Sequence, residues 1–257
     1  MVTFAACGSS TPESGTTEGA SPAADAAPLK VALDPTFPPF QSQVGEGNFE
    51  GFDIDLINAV AEAAGFTMEL QGLPFDGIIP ALQAGTVDAT ISTMTITSER
   101  AEAVDFSRPY FKAGLAIAVQ ESNTDITSFE NLSGKRVAAQ IGTTGAEKAA
   151  EAGPTEVRTF DNTPLALQEL ANGNVDAAVS DAPVIRYAIK SGNVQGIKVV
   201  GDLLTEEFYG IATPKGSPNL ERINAGLTTI LGNGKYQEIY QKWFDGEPPE
   251  LPEAAPL

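Results

Sequence analysis

Apolar residues along this chain fall into short runs broken by polar, glycine-rich punctuation, and the runs alternate between two periods. Leu29–Leu33 reads as a short buried strand and Ile54–Ala64 as an amphipathic helix, with Asp53 placed to cap its start and Gly65 to stop it. Strand Phe66–Gln71, helix Asp76–Ala84 and strand Val87–Ile91 follow. A second series begins at Lys135, with strand Arg136–Gln140, helix Ala146–Glu151, strand Glu156–Phe160, helix Leu165–Ala171 and strand Val175–Val179. Strand–helix–strand–helix–strand predicts a parallel α/β sheet, and its repetition predicts two lobes of like architecture.

The two series share a local pattern. Leu82-Gln-Ala-Gly85-Thr-Val87-Asp88-Ala89-Thr-Ile91-Ser92 matches Leu170-Ala-Asn-Gly173-Asn-Val175-Asp176-Ala177-Ala-Val179-Ser180. Both read as a helix end, a glycine stop, a buried strand and a polar exit.

Ligands of open α/β sheets bind beyond the carboxyl ends of strands, so the strand exits carry the chemistry. One exit leads through Ser92, Thr93 and Thr95 to Arg100, which falls in a first helical turn if Thr97 or Ser98 is the N-cap. The helix dipole disfavours a cation there. An arginine beside free backbone N–H groups and hydroxyls suits a carboxylate, which its planar fork can grip with two parallel bonds. The matching exit of the second series is Ser180-Asp181, an anion where the first offers a cation. A zwitterion clamped between two lobes needs that pairing. The remaining exits supply Asp34 and Phe37 on a proline-rich loop, Phe75 and Asp76 at a helix start, and Gln140 ahead of the donor loop Gly142-Thr143-Thr144-Gly145. Taken singly, Phe37 and Phe75 read equally well as core aromatics and Asp34 and Asp76 as caps; together they favour one shared cleft.

Charge and composition narrow the function classes. With 15 Lys+Arg against 34 Asp+Glu in 257 residues, the net charge of -19 repels phosphate backbones and anionic headgroups, which argues against nucleic acid as a partner. The chain has no histidine, which removes Ser-His-Asp and Cys-His catalysis and His-ligated zinc. Its single cysteine, Cys7, can form neither an intrachain disulfide nor a thiolate cluster. No metal or cofactor is expected. Phe4-Ala5-Ala6-Cys7 resembles the end of a bacterial lipoprotein signal whose earlier part is trimmed, and the Ser/Thr/Gly/Ala/Pro-rich stretch from Gly8 to Pro28 reads as a flexible tether. Residues 1–28 are thus expected to be a signal remnant and tether, and residues 246–257 a disordered acidic, proline-rich tail. No run approaches the ~18 apolar residues of a membrane-spanning helix, so lipidated Cys7 is the expected membrane contact.

Gly51-Phe-Asp-Ile-Asp-Leu56, Phe75-Asp-Gly-Ile-Ile-Pro-Ala-Leu82, Thr95-Ile-Thr-Ser-Glu-Arg100, Asp105-Phe-Ser107, Gly142-Thr-Thr144 and Tyr236-Gln-Glu-Ile-Tyr-Gln-Lys-Trp-Phe244 together resemble the family 3 solute-binding proteins, receptors of polar amino-acid ABC importers, with the glutamine-binding members nearest. The resemblance implies an α/β, two-lobed periplasmic-binding-protein-like fold of type II, each lobe a mostly parallel sheet flanked by helices. Lobe 1 is expected at 29–111 plus 210–245, lobe 2 at 120–202, and the hinge crossings at 112–119 and 203–209. It further implies that Arg100 binds a ligand α-carboxylate with help from Thr93, Thr95 and Thr144, and that Asp181 and backbone near Ser92 take the α-ammonium. Phe37 and Phe75 would sandwich the ligand's side chain, and Asp34 would meet its polar end. Gln140 stands where the glutamine-binding members have a lysine, Ser180 where they have a histidine, and Thr93 where they have a glycine, so glutamine specificity does not carry over. The expected protein is a monomeric, lipid-anchored receptor on the outer face of the cell membrane that delivers glutamine, arginine or lysine to a permease. The rival is an enzyme on the same scaffold, a cyclohexadienyl dehydratase-like protein with Asp34 as its spare carboxylate.

Overall fold

The computed structural model describes residues 1–3 and 27–256; Cys7 and most of the expected tether lie outside them. The chain enters on β1 (Leu29–Leu33) and makes a small meander of β2 (Thr36–Phe37), β3 (Gln41–Gly45) and β4 (Asn48–Glu50). Then come α1 (Phe52–Ala64), β5 (Met68–Gly72), α2 (Phe75–Gln83), β6 (Ala89–Thr90), α3 (Ser98–Ala103) and β7 (Val104–Phe106). It leaves through β8 (Phe111–Ala113) into β9 (Leu115–Gln120), β10 (Arg136–Gln140), α4 (Thr144–Glu151), β11 (Glu156–Phe160) and α5 (Thr163–Ala171). The second unit continues with β12 (Ala177–Asp181), α6 (Ala182–Lys190) and β13 (Ile197–Val200). The chain returns on β14 (Glu207–Tyr209) and ends with β15 (Ala212–Pro214), α7 (Asn219–Gly232) and α8 (Lys235–Trp243).

The strands form two five-stranded sheets, ordered β5-β1-β6-β15-β7 and β11-β10-β12-β9-β13. In each, the fourth strand in order runs against its neighbours and the others run one way. The repeated sequence pattern ends on the third strand of both sheets, β6 and β12. Gly85 and Gly173 adopt φ of 67° and 77°, the left-handed conformation that ends a helix without a Cβ penalty. The aspartate of each copy then does the same work: Asp88 accepts from the Lys30 backbone N–H and Asp176 from that of Arg136, both at 2.8 Å. The repeat thus supplies an acceptor to the start of the strand beside each central one, β1 and β10.

Strands buried on both faces read as continuous apolar runs, and β9 shows why. Leu115, Ile117 and Val119 pack on one side of the second sheet with Val137 and Val179, while Ala116 and Ala118 pack on the other with Ala138, Leu167 and Ile185. The first sheet is covered on one side by α2, whose Ile78 and Leu82 pack with Ala32, Met94 and Ala212, and on the other by α1 and α7 through Leu56, Val60, Ile223 and Leu227.

The two units are joined by an antiparallel ribbon of β8 and β14. Leu115–Val119, expected in the crossing, instead run in the second sheet. Gly114 lies at the turn between ribbon and sheet, where a Cβ would sit 2.3 Å from the Thr205 carbonyl oxygen, so the two crossings press together backbone to backbone. Phe111 and Tyr209 stack across the ribbon at 5.6 Å, and Phe244, following α8, packs on Phe40, Phe52 and Phe111.

The expected cap of α1 also changes. Asp53 does not cap α1; Gly51 is the N-cap, and Asp53 is a fully buried helical residue. Residues 246–256 carry no helix or strand; Glu247 accepts from Gln237 and Gln241, and Leu251 packs on the first core. Among the described residues, no helix is long and apolar enough to cross a membrane.

Candidate functional site

The carboxyl ends of β1, β6, β10 and β12 meet between the two sheets. Asp34, Phe37, Phe75, Ser92, Thr93, Thr95, Arg100, Gln140, Thr144 and Asp181 all line one cavity there, together with Gln41 and Thr143. The space left among them is about 10 Å³, close to what one water requires, because the side chains bond to one another across the cleft.

Arg100 is placed by its helix start. Thr97 is the N-cap and its hydroxyl accepts from the Arg100 N–H, which leaves the side chain projecting into the cleft. The guanidinium donates to the carbonyls of Thr95 and Gly142, each at 2.9 Å, and lies 5.4 Å from the centre of the Phe75 ring. Burial pulls its pKa down, while Glu147, Glu207 and Asp181 act in the opposite sense. No carboxylate is paired with it directly among the described residues.

The loop ahead of Arg100 is shaped from behind. Thr93 has a φ of 48°, in the left-handed region that favours glycine. Its N–H donates to Asp53 Oδ2 and to the Tyr110 hydroxyl oxygen, both at 3.0 Å, and Tyr110 in turn donates to Asp53 at 3.1 Å. Burial raises the Asp53 pKa to about 8 against those hydrogen bonds. Ser92 Oγ accepts from the Asp34 N–H at 2.9 Å, tying the ends of β1 and β6 together.

From the second sheet, Asp181 ends β12 and accepts from the Tyr209 hydroxyl. Burial, and then the nearby Glu207, push its pKa up to about 7, with Tyr209 and Arg100 opposing. Gln140 ends β10, and its Nε2 donates to Asp34 Oδ2 at 2.6 Å, while Thr163 donates to its Oε1. Asp34 Oδ1 accepts from the N–H and hydroxyl of Thr36, and burial still raises its pKa. Thr143, the N-cap of α4, donates to the Gln140 carbonyl at 2.8 Å and sets Thr144 at the first turn.

Sequence reasoning missed Gln41, Glu207 and Tyr209. Gln41 follows the aromatic loop, with Nε2 near Ser92 and Thr93. Glu207 and Tyr209 sit in the hinge ribbon, where a strand's period of two puts them on one face, but nothing in the sequence says that this face meets Thr95, Thr144 and Asp181.

Among the described residues no cluster of His, Cys, Asp or Glu is arranged to hold a metal. What the site presents is one buried cation and buried anions drawn from two sheets, with aromatic walls between.

The chain is 35% identical over 236 residues to a probable histidine-binding protein of Neisseria gonorrhoeae, covering 90% of this chain and 88% of that one. It is 38% identical over 210 residues to the ABC transporter glutamine-binding protein GlnH of Bacillus subtilis, covering 79% and 76%. Among solved structures, an ancestral arginine-binding protein bound to arginine superposes with a TM-score of 0.79 at 46% identity, covering 84% of this chain and 97% of that one. Residues 29–246 match the model of the bacterial extracellular solute-binding proteins, family 3, and the chain belongs to that family.

Proposed function

We propose that the protein captures a polar or basic L-amino acid between its two sheets and delivers it to an ABC importer. The observation that carries this reading is that Arg100 and Asp181, one basic and one acidic side chain, are buried in one cavity from opposite sides of the cleft without bonding each other. Burying either charge of a zwitterion without a partner costs several kcal/mol, so a closed cleft must supply both. In this reading Arg100 takes the α-carboxylate and Asp181, oriented by Tyr209, takes the α-ammonium. Phe75 already holds Arg100 on one face and, with Phe37, offers the ligand an aromatic wall.

Asp34 and Gln140 form the far end. Gln140 must release Asp34 for the ligand to enter, and an ionised Asp34 then accepts from an ammonium, guanidinium or amide NH₂. An acidic side chain would meet a like charge with no cation to compensate. Glutamine, arginine and lysine are therefore placed ahead of histidine, and glutamate and aspartate are excluded. The relatives named above support an amino-acid ligand and a transporter partner.

The same reading makes the protein a binding protein without catalytic chemistry. It is a monomer, held at the outer face of the membrane by a lipid on Cys7. A thermal-shift screen of the twenty amino acids tests it, because a ligand at a thousandfold excess over Kd adds about 4 kcal/mol to stability. A larger shift with glutamate than with arginine, lysine or glutamine would overturn the assignment.

A further inference from the structure

The hinge strand β14 sets two side chains against residues that line the cleft, and only Tyr209, on Asp181, is accounted for by the ammonium end. The other, Glu207, is 6% exposed. Its Oε2 accepts from the Thr95 hydroxyl at 2.7 Å and from the Thr144 hydroxyl at 3.2 Å, and its Oε1 accepts from Thr205 at 3.2 Å. Thr95 belongs to the first sheet's side of the cleft and Thr144 to the second, so one carboxylate oxygen spans both. Each hydroxyl has a single proton to give, and both protons point at Glu207. Arg100, between the same two threonines, spends its guanidinium on two carbonyl oxygens.

We infer that Glu207 is a specificity-determining residue, an internal carboxylate that occupies the hydroxyl donors of the α-carboxylate subsite and must yield them when a ligand arrives. This rests on the proposed amino-acid ligand. An incoming α-carboxylate competes with Glu207 for the Thr95 and Thr144 protons and settles beside a buried acid. Arg100 therefore holds the ligand less tightly than an arginine facing two free hydroxyls would, which favours release at the transporter. An α-carboxamide escapes part of this conflict, because its NH₂ donates to Glu207 in place of a threonine hydroxyl.

The test compares arginine with L-argininamide by titration calorimetry, with glutamine and its α-amide as a second pair. In the unaltered protein, the amide is expected to bind within about a hundredfold of the acid, since Glu207 accepts from it. In Glu207→Gln, the ratio of amide Kd to acid Kd is expected to rise at least tenfold, a change of about 1.4 kcal/mol. Equal weakening of both ligands in Glu207→Gln would make the residue merely structural and overturn the inference. So would a loss beyond a thousandfold for the amide in the unaltered protein, a measurement that needs no variant. Failure of the ligand reading is separately visible, as unaltered protein that binds neither arginine nor glutamine.

Discussion

Gln140 Nε2 lies 2.6 Å from Asp34 Oδ2, a direct bond between the end of β10 in one sheet and the end of β1 in the other. Both side chains are buried, and no cationic side chain bonds Asp34 among the described residues. The bond closes the far end of the cleft and sets what a ligand side chain must replace. Asp34→Asn is therefore expected to weaken a basic ligand by tenfold or more while changing glutamine little, since Asn still offers an acceptor to an amide. Gln140→Lys should act in the same direction by placing a cation beside the ligand's own. Calorimetric titration with arginine and glutamine checks both; equal losses for the two ligands would detach Asp34 from selectivity.

Arg100→Ala is expected to abolish binding rather than shift preference. Removing one partner of a buried pair costs about 3–5 kcal/mol, roughly two to four decades of affinity. A loss below tenfold by calorimetry would place Arg100 outside the binding contact.

Asp181→Ala should weaken binding to a similar degree, and it should also uncouple closure, because Asp181 is the second sheet's charged contact. Small-angle scattering at saturating ligand is expected to show a smaller radius of gyration for the unaltered protein. An unchanged curve with binding verified in the same sample would contradict closure around the ligand.

Stability is expected to fall as pH rises. Burial raises Asp53 to about 8 and Asp181 to about 7 from an ordinary 3.8, so the folded chain holds more protons than the unfolded one across that window. The contribution is fully present below the unfolded value of 3.8 and is lost progressively as pH rises to the folded values. Asp53→Asn should flatten the decline of melting temperature with pH, and an unaltered slope would remove Asp53 as its source. Ligand affinity runs the other way. An ammonium bound to Asp181 needs it ionised, so binding should tighten as pH climbs through about 7.

Cys7→Ser, expressed in cells, should shift the protein from the membrane fraction to the medium. A hydroxyl cannot accept the lipid through a thioether, and the anchoring proposed here runs through that sulfur alone. Continued fractionation with membranes would refute lipid anchoring at Cys7.

Sequence by itself determined the parts whose causes are local. Period-two and period-3.6 patterning placed β1, β10 and β11 to the residue and announced two βαβαβ series. The repeated Val-Asp-Ala segments marked equivalent strands because each copy contains its own helix stop and its own acceptor for a neighbouring strand. Strand exits gave up ten cavity-lining residues because chain direction in a parallel sheet puts those exits on one edge. Tertiary structure alone decided what lies behind and beneath them. Asp53 looks like an N-cap from its neighbours, yet its partners are Thr93 and Tyr110, 40 and 57 residues away. Glu207 and Tyr209 read as an ordinary hinge strand until the fold brings Thr95, Thr144 and Asp181 against them from both sheets. Such contacts join residues whose separation along the chain leaves no period to read, and burial, which sets the charge states of these groups, exists only once both sheets are packed.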